Sequence, residues 1–252
     1  MRVDLNADLG EGFGAWQLGD DDALLPVITS ANVACGFHAG DPRTMQRVCA
    51  AAAERGVAIG AQVGYRDLAG FGRRRMEIAA ADLTADVLYQ LGALDAFARI
   101  AGTSVRYVKP HGALYNTAAD DPGQAGAVAA AVARYDATLP LLGLPASQLE
   151  SAAARAGIPF VAEAFADRAY TATGRLVPRT EAGAVHGDEA TVVAQAVSLV
   201  RDGVVRAVDG TAVPVRAASL CLHGDTPAAA ALARAVRTAL EDLGAALAPF
   251  AQ

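Results

Sequence analysis

The stretch YVKPHGALYN, residues 107–116, decides how the chain is read. A β-rich run (Val105, Tyr107, Val108) stops abruptly at Lys109, Pro110 and His111, and Tyr115 and Asn116 follow after a glycine. A lysine and a histidine at the end of a buried strand cost free energy unless a ligand or an ion pair meets them. The arrangement repeats along the chain. A first strand near Val3–Ala7 leads through Asn6 and Asp8 to Glu11, and a second, Ala31–Cys35, runs into Cys35-Gly36-Phe37-His38. A third, Val57–Ala61, ends at Gln62; Ile158–Ala162 ends at Glu163 and Asp167; Leu220–Leu222 ends at His223-Gly224-Asp225. With Val105–Val108 and Leu139–Leu142 the strands number about seven.

Longer helical segments lie between them. Asp41-Pro42 supplies an N-cap with proline in the first helical position, opening a helix to about Arg55. Others are expected over Asp82–Ile100, Gly123–Tyr135, Ser147–Ala156, Glu189–Arg201 and Pro227–Leu243. Short strands alternating with helices predict a parallel sheet. In a closed parallel barrel the carboxyl ends of all strands converge on one mouth. An open doubly wound sheet draws its ligand groups from fewer strands. Polar groups on five or six strand ends therefore favour the barrel. Residues 64–81 and 164–188 are long, polar and glycine-bearing, and read as functional loops or lids. Residues 204–216 read as a hairpin turning at Asp209-Gly210. No linker, low-complexity tract or repeat divides the chain, so residues 1–252 are expected to form a single domain.

Composition narrows the function. With 53% hydrophobic and 19% charged residues there is ample core material, and the net charge of −6 argues against nucleic acid or an anionic membrane as partner. The N-terminus carries acids where a signal peptide would be apolar, and no apolar run is long enough to span a bilayer. Three cysteines without metal spacing (Cys35, Cys49, Cys221) fit a reduced compartment, so a cytoplasmic location is expected.

Each candidate residue has a plainer alternative. Asp8 could cap a turn. Cys35, with His38 three residues on, could be a nucleophile, but a small thiol at a strand end is more often packing. Gly-Glu-Gly-Phe-Gly at 10–14 imitates a phosphate loop without the full spacing, and no G-x-x-x-x-G-K-[ST] occurs. His186 sits in a loop and reads as solvent-facing.

DLNADLGEGFG (4–14), SANVACGFHAGDP (30–42), GFGRR (70–74), VKPHGALYN (108–116), FADRAY (165–170), LVPRT (176–180) and CLHGD (221–225) together resemble the LamB/YcsF family. The resemblance implies an irregular seven-stranded β/α barrel related to glycoside hydrolase/deacetylase barrels. It also implies ATP-dependent opening of the lactam 5-oxo-L-proline to L-glutamate, with ATP as co-substrate and with partner subunits B and C of the prokaryotic 5-oxoprolinase. Lacking the standard phosphate cradle, the chain is expected to leave nucleotide handling partly to those partners. Under this resemblance Asp8 or Glu163 is the expected general base on water, and His38, His111 or His223 the proton shuttle to the leaving nitrogen. Lys109 would face the developing oxyanion or a phosphoryl group, and Asn6, Gln62, Tyr115, Asn116 and Asp225 would orient substrate. The family commonly has histidine and proline where this chain has Gln62 and Val63. Glutamine does not titrate and is a poor transition-metal ligand. Two further readings remain. One is a metal-dependent deacetylase or amidohydrolase acting on a carbohydrate or small amide, with Asp8, His38 and His111 as zinc ligands. The other is a non-enzymatic sugar-binding barrel, disfavoured by an aromatic content of only 6%.

Overall fold

In β1 (Arg2–Leu9) every residue but the first is buried, and the side chains alternate sharply in character. Val3, Leu5, Ala7 and Leu9 join the main apolar core, whereas Asp4, Asn6 and Asp8 bond to side chains of other strands. Successive strand side chains point to opposite faces, so β1 is polar towards the barrel axis and apolar towards the surrounding helices. The computed structural model describes residues 1–225 and 228–251.

β2 (Ser30–Ala34), β3 (Ala58–Val63), β4 (Val105–Pro110), β5 (Leu141–Gly143) and β6 (Phe160–Phe165) follow in sheet order. An antiparallel hairpin, β7 (Val204–Arg206) and β8 (Ala212–Pro214), stands apart from this sheet. β9 (Ser219–Leu222) pairs in parallel with both β6 and β1, closing a barrel of seven parallel strands as expected. A short β10 (Ala246–Leu247) pairs in parallel with Arg2 and Val3 at the start of β1. The barrel is irregular: β5 has three residues, and a register shift interrupts the β3–β4 pairing.

The helices are α1 (Asp21–Leu24), α2 (Pro42–Glu54), α3 (Ala80–Ile100), α4 (Gly112–Asp120), α5 (Pro122–Asp136), α6 (Gln148–Ala156), α7 (Glu189–Asp202) and α8 (Ala229–Asp242). Asp41 caps α2 as expected, accepting from the Arg43 and Thr44 amides. The expected start of the last helix, Pro227, lies outside the described residues. Two elements went unforeseen near the mouth, the short α1 and α4. Pro110 and Gly112 are turn residues by local preference, yet only His111 separates β4 from α4. Gly112 takes φ +56, and the Ala113 amide donates to Gly72 O at 2.8 Å, which docks the 64–81 loop on the helix.

The barrel interior is a polar column where layers of Val, Ile and Leu are usual. Asn6 Nδ2 donates to Ser219 Oγ (2.6 Å) and Glu163 Oε1 (2.9 Å), and Asn32 Nδ2 donates to Asn6 Oδ1 (2.7 Å) and Asp8 Oδ1 (2.8 Å). Tyr107 reaches across to Asn32 Oδ1 at 2.7 Å. That reach depends on Gly60, where a Cβ would lie 2.1 Å from the Tyr107 ring.

At the amino-terminal end of the column Asp4 accepts from Thr29 (2.6 Å), Ser30 (2.6 Å) and Ser219. Burial pushes its pKa up to about 6. The folded chain thus holds the Asp4 proton over a pH range in which the unfolded chain has lost it. Stability from this group is present at low pH and falls as pH rises from about 4 to about 6. Asp4→Asn should remove that dependence: relative to wild type, its unfolding free energy should rise by roughly 3 kcal/mol between pH 4 and pH 7. Denaturant melts of both proteins across this range check it, and parallel curves would contradict it.

Candidate functional site

Lys109 is the only lysine in the chain, and it is enclosed at 3% exposure. β4 delivers it to the axis. Its Nζ lies 2.7 Å from Glu163 Oε1 on β6, 3.3 Å from Asn6 Oδ1 and 3.5 Å from Asp8 Oδ1 on β1, and 3.2 Å from Cys221 Sγ on β9. The Phe165 ring lies 5.2 Å away. Burial alone would depress the Lys109 pKa, but the Asp8 and Glu163 carboxylates outweigh it and hold the ammonium charged well above its ordinary value. Burial likewise opposes ionisation of Asp8, and Lys109, then His223, hold its pKa low. Asp8 is therefore an ionised strand residue, not a turn cap.

The second unit is His223 with Asp167. Asp167 accepts from His223 Nδ1 at 2.9–3.0 Å and from the His223 backbone N–H at 3.0 Å. Burial opposes ionisation of Asp167, but the adjacent His223 and these bonds keep its pKa lowered. An ionised carboxylate only accepts, so Nδ1 carries a proton, and it is the neutral form of the ring that presents an Nε2 lone pair. Phe165 stacks on the imidazole with centroids 5.4 Å apart.

The third unit lies where the loops after β1 and β2 meet the end of β4. The His38 and His111 rings are stacked, with centroids 3.9 Å apart and planes 9° from parallel. His111 Nε2 donates to Phe71 O (2.9 Å), which leaves Nδ1 as an acceptor 3.8 Å from Glu11 Oε1. Phe71 holds φ +54, a conformation that non-glycine residues reserve for constrained sites. Gly72 beside it has no Cβ to collide with His38 Cβ and His111 Cδ2, which would lie at 2.7 and 2.9 Å. Burial pushes the His111 pKa down to about 3 and that of His38 well below its usual value, so both rings are neutral. Burial, then the Asp8 charge, raises Glu11 well above the carboxylate range.

These units underlie a cavity of about 930 Å³ at the carboxyl ends of the strands. Asp8, Lys109, His111 and His223 line it, as do Tyr115 and Asn116. Asn6, His38, Gln62 and Glu163 sit at 0% exposure and are not part of its lining. Gln62 Oε1 meets His38 Nε2 at 3.2 Å, while the Tyr115 hydroxyl, Glu163 Oε2 and His38 Nδ1 have no hydrogen-bond partner among the described residues. Asn116 is exposed, its amide bonded to Gly112 O within α4 (3.0 Å). Asp225 lies at the rim, paired with Arg73 at 2.6 Å. Cys35 is packing: it is buried, and burial pushes its thiol pKa up. The Gly10 and Gly14 amides donate to Asp21 (3.0 Å) and Asp41 (2.7 Å), so carboxylates occupy the apparent phosphate loop.

Among the described residues, the cluster of three potential metal ligands is Glu11, His38 and His111, with donor atoms within 4.8 Å of one another. The carboxylate of the set is thus Glu11, where Asp8 was expected. Asp167 and Asn32 also went unassigned. The D-x-N-x-D alternation at 4, 6 and 8 signals an inward polar face in sequence, whereas the contact of Asp167 with His223, 56 positions away, leaves no local trace.

A closed parallel barrel that gathers its ionisable groups at the carboxyl ends of the strands has the architecture of a barrel enzyme. The chain belongs to the LamB/YcsF family, which it matches over residues 3–252. It is 65% identical over 249 residues to the A subunit of 5-oxoprolinase from Streptomyces avermitilis, covering 99% of this chain and 100% of that one. The crystal structure of the lactam utilization protein of Thermus thermophilus superposes with a TM-score of 0.94 at 46% identity, over 99% of this chain and 100% of that one. A likeness of fold alone links it to the catalytic domain of a peptidoglycan N-acetylglucosamine deacetylase of Eubacterium rectale, with TM-score 0.51, 12% identity, and 98% and 87% coverage. The expected deacetylase-like barrel is borne out. Among the described residues no helix is long and apolar enough to cross a membrane.

Proposed function

We propose that the chain is the A subunit of an ATP-dependent 5-oxoprolinase, opening the lactam of 5-oxo-L-proline to L-glutamate together with subunits B and C. The observation that supports this most directly is that a fixed cation, Lys109, and a base of fixed tautomer, His223, line one cavity. A five-membered lactam is an unstrained amide, so a nucleophile alone opens it slowly. Transfer of the ATP γ-phosphoryl group to the lactam oxygen makes the ring carbon electrophilic. Water then adds to that carbon, losing its proton to His223 Nε2 or to Asp8. The ring C–N bond breaks, and the nitrogen takes the proton back from whichever of these groups accepted it. The phosphorylated carboxyl group that remains reacts with a second water to give the γ-carboxylate of glutamate and phosphate. Lys109 stabilises the charge that develops on the carbonyl and phosphoryl oxygens. Glu163, enclosed beneath it, positions the ammonium, and Tyr115 lends its unpaired hydroxyl to the substrate. The cavity is far larger than a five-membered ring needs, which leaves room for a phosphoryl group.

Glu11, His38 and His111 favour a second reading, metal-dependent hydrolysis. One carboxylate and two imidazoles suit zinc, and the Phe71 carbonyl orients His111 as an outer-shell partner would. The stacking opposes it: an ion in the plane of one ring lies well outside the plane of the other. A cation there requires one ring to turn. Co-expression with subunits B and C, assay of glutamate release from 5-oxo-L-proline with and without ATP, and elemental analysis of the same preparation separate the two. ATP-dependent release without stoichiometric metal is expected. ATP-independent hydrolysis with stoichiometric zinc would replace the first reading by the second.

A further inference from the structure

The chain carries a net charge of −6, yet six cationic side chains line the cavity against three carboxylates, Asp8, Asp120 and Asp121. Besides Lys109 the cations are Arg73, Arg75, Arg168, Arg175 and Arg179. Four of the five arginines are engaged within the chain. Arg73 binds Asp225 (2.6 Å) and Arg75 binds Glu77 (2.9 Å). Arg168 braces the 164–188 loop, with Nε on Ala184 O (3.0 Å) and Nη2 on Val177 O (2.6 Å). Arg175 ties the loop to Asp120 (2.9 Å) and Ala146 O (3.1 Å). Arg179 has no such partner: its Nη2 is shut off from solvent without a hydrogen bond among the described residues.

A buried guanidinium nitrogen without an acceptor is destabilising until a ligand oxygen meets it. We propose that Arg179 binds the ring carboxylate of the substrate, so that the site selects lactams bearing a carboxylate beside the ring nitrogen. This rests on the lactam reading above. The planar fork of arginine matches a carboxylate in two parallel bonds. A phosphoryl group on the reacting oxygen stays with Lys109, so the other anionic group of the substrate is the one left for the loop. Arg179 lies on the correct side, since its guanidinium is near enough to Asp167 to add to the field that keeps this carboxyl ionised beside His223. Its backbone is held by the neighbouring Val177, whose N–H donates to Ala169 O (3.0 Å) and whose carbonyl receives Arg168. An anion there also relieves the crowding with Arg168, whose pKa burial and then Arg179 push down to about 10.

The test compares wild type, Arg179→Ala and Arg179→Lys as full chains, each assembled with subunits B and C. Turnover of 5-oxo-L-proline and of 2-pyrrolidinone, which lacks the carboxylate, gives a discrimination ratio. The ratio should fall by ~30-fold or more in Arg179→Ala, mainly through KM, with partial recovery in Arg179→Lys and on adding guanidinium to Arg179→Ala. Equal losses on both lactams, or an unchanged ratio, would overturn the proposal. Calorimetric titration of the isolated chain with the two lactams reads Arg179 independently of catalysis. Preference for 5-oxo-L-proline that disappears with Arg179 sustains the inference even if glutamate is not the product, and no preference in wild type overturns it. Should Arg179→Ala fail to fold, the lysine variant carries the same comparison.

Discussion

Lys109→Met should abolish ATP-coupled glutamate release and loosen the barrel at the same time. The ammonium is the counter-charge for two enclosed carboxylates, at 2.7 Å from Glu163 and 3.5 Å from Asp8. Breaking a buried ion pair from one side costs about 3–5 kcal/mol, because the remaining charge is stranded. In a chain of this size that lowers the melting midpoint by roughly 6–20 °C. The double variant Lys109→Met/Glu163→Gln removes one stranded charge and should recover part of the midpoint. It should recover no activity, because the cation facing the cavity is still missing; turnover should stay down by ~10³-fold or more. Full activity in either variant would remove Lys109 from the chemistry. An unchanged midpoint in the single variant would mean that the buried cluster does not hold the barrel together.

Asp167→Asn should act almost entirely on rate. The amide keeps the size of the carboxylate but can donate a hydrogen bond, so His223 Nδ1 no longer has to carry the proton. The tautomer that aims a lone pair from Nε2 into the cavity is then lost. Such a change at a carboxylate–histidine pair lowers turnover on the order of 10²–10⁴-fold. KM for 5-oxo-L-proline should move much less, which separates a lost base from a damaged binding site. ¹⁵N spectra of the imidazole would show the tautomer shift directly, and a variant with normal kcat would exclude the pair from proton transfer.

The barrel was legible because five or six of the strands end in polar or ionisable residues, several of them beside Gly or Pro. Lys109-Pro110-His111 and His223-Gly224-Asp225 carry that signal without help from tertiary contacts, and both line or rim the mouth. The depth of the polar column was not legible. Asp4, Asn32 and Ser219 bond to side chains of neighbouring strands inside the barrel, and runs as apolar as SANVA hide one inward side chain in every two. α4 escaped notice because Pro110 and Gly112 are turn residues by local preference, and docking of the 64–81 loop on Gly112 overrides that preference. Asn116, expected to orient substrate, bonds back into that same unforeseen helix. Arg179 has no periodicity to mark it. Its distinction is that the other four arginines around it have partners, a fact about space and not about spacing.

Confining the chain's lysine to the barrel axis has a spectroscopic consequence. Growth on lysine labelled with ¹⁵N at the ζ position would place one side-chain nucleus in the protein, with no assignment problem. Its resonance would follow the hydration and proton exchange of the site through each stage of turnover, free of signals from the outer surface.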